Sequence, residues 1–186
     1  MIISFGGNAG SGKSTIAKML AEKLGWPRHY IGGIRREKAK ERGLSLHEYN
    51  KMGELDPSTD LEVDLYQKTL GETSDNFIIE GRTSWFLIPN SLKIFLDVDE
   101  KIGAERVLNE LKKSNERNES VKMPKNLKEM IEINQQRKTS DILRYEKYYQ
   151  KNVYDPQNFD LVIDTSKLSP EEVFDKVYAY IKEKLK

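Results

Sequence analysis

The sequence predicts an α/β fold, in which a mostly parallel sheet carries helices on both of its faces. Short apolar runs bounded by glycine, proline or polar residues indicate buried strands, and amphipathic patterns with helical spacing lie between them. This alternation of strands and helices is typical of a parallel sheet. The runs that we interpret as strands cover residues 1–5, 29–31, 77–79, 92–96 and 159–163.

The helical patterns have recognisable beginnings. Apolar residues recur every four positions from Ile16 to Leu24 and predict a helix directly after the first strand. Ser45 and Ser169 each stand three residues before a glutamate, which is the capping-box pattern that begins a helix. The same reasoning predicts helices after each remaining strand.

Two stretches interrupt the alternation and are too small to be independent domains. Residues 33–72 have helical patterns but no strand, and the polar segment 112–122 leads into a long helical pattern that ends near residue 151. We therefore predict a single domain, with 33–72 and 112–151 as mobile flaps on one core. The predicted core consists of residues 1–32, 73–111 and 152–186.

The composition limits the class of protein. The chain has 186 residues and a formal net charge of +1, and this near-neutral balance argues against general nucleic-acid binding. No apolar run approaches the ~18 residues that a membrane span requires. The chain contains no cysteine, which excludes disulfides and thiolate metal sites. We expect a cytoplasmic monomer that acts without a nucleic-acid or membrane partner.

A phosphate-binding loop is the strongest signal in the sequence. Residues 7–14 match G-x-x-x-x-G-K-[ST], and the motif lies where a strand meets a helix, as this loop requires. The backbone N–H groups and the positive end of the helix bind a polyphosphate. Lys13 would contact the β- and γ-phosphates, and the Ser14 hydroxyl can ligate Mg²⁺. The predicted ATP-binding residues of the loop are Gly7, Asn8, Ala9, Gly10, Ser11, Gly12, Lys13, Ser14 and Thr15.

A second group of charged residues follows the predicted strands. Arg36 comes after the second strand, and Glu80 and Arg82 come directly after the third. In an open parallel sheet, ligands bind beyond the carboxyl ends of the strands, so these side chains should face the loop. A guanidinium there can bind a second phosphate through two hydrogen bonds. The Glu80 carboxylate is placed to hold the metal through water.

A third charged group lies in the long helix that follows the polar segment. Arg137, Asp141 and Arg144 have the spacing i, i+4 and i+7, which puts them on one helical face. A solvated stripe of ion pairs would give the same pattern and would contribute only tenths of a kcal/mol. Its position after the polar segment instead favours a lid that closes over the phosphates.

Together these groups resemble the cytidylate kinases, and more closely their archaeal-type branch within the nucleoside monophosphate kinases. The resemblance covers nearly the whole chain and includes Arg137 with residues 140–141 and 144–145. The other matching segments are the phosphate-binding loop, 33–37 (GIRRE), 39–43 (AKERG), 60–64 (DLEVD), 79–82 (IEGR), 160–166 (DLVIDTS) and 169–173 (SPEEV).

The resemblance implies a P-loop nucleoside monophosphate kinase fold, with a five-stranded parallel sheet of order 2-3-1-4-5. It implies that 33–72 binds the phosphate acceptor and that 112–151 is a lid with its following helix. The activity it implies is transfer of the γ-phosphate of ATP to CMP or dCMP, giving CDP or dCDP and ADP, with Mg²⁺ as cofactor. No general base is required, because the acceptor phosphate is already ionised.

The resemblance also implies roles for individual residues. Lys13, Arg82 and Arg137 would be catalytic, Ser14 and Glu80 would serve the metal, and Arg106 would lie over the adenine of the donor. The residues implied to bind the acceptor are Arg36, Asp60, Arg82, Arg137, Asp141 and Arg144.

Three positions depart from the family pattern or leave a role open. Glu110 stands where the family usually has a second basic residue in the lid base, and Arg117 could substitute for it. Thr83 stands where the bacterial branch has an aspartate that helps to read cytosine. Trp85 could stack on a base or could belong to the core.

Two alternatives stay open from the sequence. One is a kinase for another acceptor, such as AMP, UMP or a small metabolite. The other is a switch or assembly factor that hydrolyses ATP slowly while bound to a partner. A switch has little use for arginines that converge on a second phosphate, which favours the kinase.

Overall fold

The computed structural model describes residues 1–113 and 123–185, and within them the chain forms a five-stranded sheet flanked by eight helices. The strands are β1 (Ile2–Gly7), β2 (Arg28–Tyr30), β3 (Phe77–Glu80), β4 (Leu92–Asp97) and β5 (Leu161–Asp164). The helices are α1 (Lys13–Leu24), α2 (Ile31–Glu41), α3 (Leu46–Gly53), α4 (Ser58–Thr73), α5 (Ser84–Leu87), α6 (Glu100–Lys112), α7 (Leu127–Tyr149) and α8 (Pro170–Lys184).

The sheet is parallel throughout and has the order β2-β3-β1-β4-β5, which confirms the predicted fold class. β1 lies at its centre and pairs with β3 on one side and β4 on the other. The carboxyl ends of all the strands therefore meet at one edge. That edge brings Gly7, Glu80 and Asp97 close to the start of α1.

Helices cover both faces of the sheet, as the alternation of strands and helices predicts. Ile2 and Ile3 are consecutive in β1 and belong to different hydrophobic clusters, because successive side chains of a strand point to opposite faces. The cluster around Ile3 includes apolar residues of α1 and α8. The cluster around Ile2 includes Ile31 of α2 and Val63 of α4.

The predicted helix beginnings are confirmed. Ser45 and Ser169 both form complete capping boxes, with the glutamate three residues later bonded back to the capping residue. The region 31–73 contains α2, α3 and α4 and no strand, as the pattern predicts. The polar segment lies outside the described residues from 114 to 122, and the long helix after it is α7.

One strand begins later than its apolar run. β5 begins at Leu161, although the run begins at Phe159. The Phe159 ring packs against Phe95 and Trp85, with centroids 4.9 and 5.6 Å away, and lies directly over Gly6. Phe159 therefore serves packing rather than strand pairing. Trp85 is buried in this aromatic group, which favours the core interpretation of its role.

No helix of the described residues is both long and apolar enough to cross a membrane.

Candidate active site

The phosphate-binding loop connects β1 to α1 and has the geometry of an anion site. Gly10 and Gly12 both have positive φ, at 76° and 85°, which lets the backbone turn inward. Gly12 caps α1 and, as a glycine, has no side chain to bond the orphaned N–H groups of this helix end. The first turn of α1 is free of acidic residues. The positive helix end therefore faces the cavity without a competing carboxylate on its own first turn.

The two side chains predicted for the metal lie in direct contact. The Ser14 hydroxyl donates to Glu80 Oε2 at 2.6 Å, and Glu80 Oε1 accepts from Arg28 Nε at 2.6 Å. The Lys13 ammonium donates to the backbone carbonyls of Gly7 and Asn8 at 3.0 and 2.6 Å. A hydroxyl and a single carboxylate fit Mg²⁺, which is typically held by one or two protein oxygens, phosphates and water. Arg28, which the sequence analysis missed, holds the other side of this carboxylate.

Gly10 and Gly103 allow the loop to approach α6 closely. A Cβ added at Gly10 would lie 2.1 Å from the Gly103 carbonyl oxygen, and one added at Gly103 would lie 2.6 Å from the Ala9 carbonyl oxygen. Both contacts are with backbone, which cannot rotate away. Gly103 therefore helps to fix the loop, and the signal for it in the sequence was a glycine inside an otherwise helical pattern.

Arg106, which the resemblance places over the adenine of the donor, lines the cavity near the phosphate-binding loop, and its contact with a donor stays a prediction. Its guanidinium donates to the carbonyl of Thr165 at 2.8 Å and to the Thr165 hydroxyl at 3.1 Å. A longer bond of 3.4 Å reaches the carbonyl of Gly10. Arg106 thus connects α6 with the loop after β5 and the phosphate-binding loop. Glu110 lines the same cavity, and Arg117 lies outside the described residues.

Three arginines predicted to bind phosphate, Arg36, Arg82 and Arg137, line one cavity with the phosphate-binding loop. Arg82 donates to the carbonyl of Gly7 at 2.7 Å, and Arg36 donates to the Tyr30 hydroxyl at 2.6 Å. The buried Nε atoms of Arg36 and Arg137 have no hydrogen-bond partner among the described residues. Unsatisfied buried donors of this kind are costly and fit an anion in the cavity.

A continuous series of ion pairs runs along the wall of this cavity and behind it, and we call it the buried ion chain. Its order is Arg35, Asp60, Arg144, Asp141, Arg82. Asp60 accepts from both Arg35 and Arg144 at 2.5 Å, and Asp141 accepts from Arg144 at 2.5 Å and from Arg82 at 3.1 Å. The chain joins α2, α4 and α7 to the turn after β3. Arg144 is fully buried, with 0% of its surface exposed.

The cavity has a volume of about 490 Å³ and joins the donor and acceptor halves of the predicted site. Its lining includes Arg35 and Asp141 but not Asp60 or Arg144, which lie behind it within the buried ion chain. The direct contacts with an acceptor that the resemblance implies for Asp60 and Arg144 stay predictions. In this geometry Asp60 holds Arg35 and Arg144 holds Asp141, and both of these partners line the cavity.

The pKa values of Asp141 and Arg137 are both lowered, which favours the charged form of the carboxyl and disfavours the charged form of the guanidinium. Burial alone would raise the pKa of Asp141, but the guanidinium groups of Arg144, Arg82 and Arg137 outweigh it and lower the pKa to about 2. Burial lowers the pKa of Arg137 to about 10, and the nearby charges of Arg82 and Arg36 add to this. A bound phosphate would relieve this repulsion among the arginines.

Tyr154, which the sequence analysis also missed, completes this cluster. Its hydroxyl donates to Asp141 Oδ2 at 2.8 Å, and its ring packs under the Arg82 guanidinium at 5.1 Å. Arg35 was likewise overlooked in favour of its neighbour Arg36. Two adjacent arginines in a helix point to different sides, and the local sequence does not show which side meets the carboxylate.

The fold, the glycine-rich loop and the arginines that line this cavity are those of a P-loop kinase. The sequence model of the cytidylate kinase-like family matches residues 2–167, and the chain belongs to that family.

Curated relatives agree with this family, and solved structures share its fold. A protein named cytidylate kinase from Methanocella arvoryzae is 36% identical over 183 residues, which cover 98% of each chain. One of the same name from Pyrococcus abyssi is 37% identical over 182 residues, covering 97% of this chain and 93% of the relative. An uncharacterized protein from Eubacterium ventriosum superposes with a TM-score of 0.69 at 20% identity, with 98% of each chain covered. Shikimate kinase from Bacteroides thetaiotaomicron superposes with a TM-score of 0.63 at 15% identity, also with 98% of each chain covered. Identities this low show a shared fold only.

Gly103→Ala should weaken nucleotide binding. The new methyl group would displace the phosphate-binding loop, because the Ala9 carbonyl oxygen lies 2.6 Å from the added Cβ. Overpacking of this kind costs about 1–3 kcal/mol, against a gain of about 1 kcal/mol in helix propensity. The measurement is calorimetric binding of a non-hydrolysable ATP analogue. Gly43→Ala is the control, since its φ of +68° imposes strain where no atom is near. Equal affinities in the two variants would contradict this role.

Asp141→Asn should destabilise the fold in a pH-dependent way. Removing one partner of a buried ion pair costs roughly 3–5 kcal/mol. The folded pKa of about 2 lies below the ordinary 3.8, so this stability is present above about pH 4 and is lost as the pH falls through 2. Urea unfolding of both proteins should show a gap in the free energy of unfolding that narrows between these pH values. Asp175→Asn, at an exposed position of α8, should show no comparable gap.

Proposed function

We propose that this protein transfers the γ-phosphate of ATP to CMP or dCMP, giving ADP and CDP or dCDP. The observation that carries the proposal is the pair of phosphate-binding sets that face one cavity, the loop with Lys13 on one side and Arg36, Arg82 and Arg137 on the other. A nucleotide-dependent switch would not need the second set. The choice of acceptor is supported by the curated relatives, which are named cytidylate kinase.

The proposed mechanism depends on alignment and charge. The loop and Lys13 hold the β- and γ-phosphates of the donor, while Arg36 and Arg82 hold the phosphate of the acceptor. Arg137, a member of the second set, stabilises the charge on the transferring group. Ser14 and Glu80 would hold Mg²⁺, Glu80 through water, and when bound this ion would neutralise charge on the donor phosphates. The acceptor oxygen attacks the γ-phosphorus without a general base, because the acceptor phosphate is already ionised.

We also propose an arrangement of the chain for this reaction. Residues 33–72 form the acceptor-binding insertion, and 112–151 form the lid and its following helix, with the remaining residues as the core. Closure of the lid excludes water from the γ-phosphate and so prevents hydrolysis. As part of the same proposal, the protein is a cytoplasmic monomer whose partners are small nucleotides and neither nucleic acid nor membrane.

ADP release should depend on the acceptor. With ATP and Mg²⁺, we expect fast release with CMP or dCMP and slow release with UMP, AMP, GMP or no acceptor. Faster release with AMP or UMP would support a kinase for another monophosphate, with the arginine roles unchanged. Slow release that ignores every acceptor would contradict the kinase proposal and favour a slow ATP-hydrolysing switch.

Arg137→Ala should lower turnover much more than ATP affinity. A group that stabilises the transferring phosphoryl contributes mainly in the transition state, and loss of one such donor costs roughly 10²–10³ in kcat. Lys13→Ala should weaken both ATP binding and turnover. Lys128→Ala removes a charge from an exposed position of the same helix as Arg137 and serves as the control. The measurements are turnover from steady-state kinetics and ATP affinity from binding. A parallel fall of both in Arg137→Ala would contradict the transition-state role.

A further inference from the structure

One buried carboxylate of the cavity has no part in the mechanism above. Asp64 lies on α4, lines the cavity and has only 4% of its surface exposed. Its neighbours in the cavity wall include Thr83, which follows Arg82 directly in the chain. The two consecutive side chains have different partners, since Arg82 bonds to Gly7 and Asp141, while Thr83 bonds to Asp64. A polar pocket therefore lies beside the arginines that are proposed to hold the acceptor phosphate.

Three donors from three elements fix the orientation of this carboxylate. The Thr83 hydroxyl donates to Asp64 Oδ1 at 2.9 Å, and Gln67 Nε2 donates to the same oxygen at 3.0 Å. The Tyr149 hydroxyl donates to Oδ2 at 2.6 Å. Gln67 is itself held by Ser84, whose hydroxyl donates to the Gln67 carbonyl oxygen at 2.7 Å. The network holds the Asp64 carboxylate in a fixed orientation. When it is ionised, this carboxylate can accept further hydrogen bonds but cannot donate any.

Asp64 differs from the other buried acids of the site in its charge balance. No cationic side chain among the described residues forms an ion pair with it, whereas Asp60 and Asp141 each have two arginine partners. Burial raises its pKa to about 6 and the charge of Asp60 adds to this, while the hydrogen bonds from Tyr149 and Thr83 and the charge of Arg35, which forms no ion pair with it, oppose the shift. A buried carboxylate without an ion-pair partner is costly for the fold. Such a cost is typical of a group retained for a ligand.

The chemistry of the pyrimidine bases identifies a ligand for this group. Cytosine has an exocyclic amino group at position 4, which is a hydrogen-bond donor. Uracil has a carbonyl oxygen at this position. This oxygen and the carboxylate oxygen are both acceptors, so they would repel each other and form no hydrogen bond. A site built to bond a donor rejects the analogue that lacks it, because the buried polar group is then left unpaired.

We propose that Asp64, oriented by Thr83 and Gln67, accepts a hydrogen bond from the exocyclic amino group of the acceptor base and so selects cytosine over uracil. The inference rests on the proposed function, since it assigns the base-reading part of the same acceptor site.

The test compares kcat/KM for CMP and UMP in the wild-type protein and in Asp64→Asn. The amide keeps the size of the side chain but can donate to the uracil carbonyl, so the CMP-to-UMP ratio should fall about ten- to a hundredfold. The KM for ATP should not change, because the donor site is separate. Glu62→Gln removes a charge from an exposed position two residues away on the same helix and should leave the ratio as in the wild type.

A second variant keeps the test decisive if Asp64→Asn fails to fold, which thermal denaturation would show. Thr83→Val removes the hydroxyl that orients Asp64 and should lower the same ratio by a smaller factor. An unchanged CMP-to-UMP ratio in a folded variant, including an equal loss of activity with both substrates, would overturn the inference. The proposed function would still stand in that case if the wild-type protein is active with CMP. A wild-type protein that does not favour CMP over the other monophosphates would overturn the proposed function itself.

Discussion

The site depends on the buried ion chain, in which guanidinium and carboxylate groups alternate from Arg35 to Arg82. Each carboxylate is held by two arginines, and Arg144 at the centre is fully buried, so the members position one another without help from solvent. The chain connects three helices with the turn after β3 and, through Arg82, with the carbonyl of Gly7. A charge removed from it would leave its partners buried and unpaired, which is far more costly than loss of an exposed pair.

The same chain leaves the cavity with an excess of positive charge. Asp60 and Asp141 balance only part of the charge of the arginines around them, and Arg36 and Arg137 each retain a buried Nε without a partner among the described residues. The lowered pKa of Arg137 reflects its burial and its nearness to Arg82 and Arg36. An anion of two charges at this point would satisfy donors and relieve repulsion together. The proposed acceptor phosphate is such an anion.

Local patterns predicted the strands, the helices and the loop between β1 and α1, because these depend on residues that are close in sequence. Each of these signals, whether a strand or helix periodicity or the G-x-x-x-x-G-K-[ST] motif, spans only a short stretch of the sequence. The resemblance to a family supplied the strand order, which periodicity alone does not fix. Arg35, Gly103 and Tyr154 were missed because their roles depend on contacts across the fold: Arg35 with Asp60, Gly103 with the Ala9 carbonyl, and Tyr154 with Arg82.

Asp60 and Asp64 show why spacing alone could not assign the acceptor side. They lie one helical turn apart on the same face of α4, and both are buried. Asp60 meets two arginines, whereas Asp64 meets only neutral donors, so identical side chains on one face acquire different chemistry from the elements packed against them. Asp60 can stabilise the fold through its ion pairs with arginine, whereas Asp64 forms no ion pair among the described residues and cannot stabilise the fold in this way. Asp64 lines the cavity as a hydrogen-bond acceptor without an ion-pair partner in the described part of the chain, which is the physical basis for assigning the base to Asp64 and the phosphate to Arg36, Arg82 and Arg137.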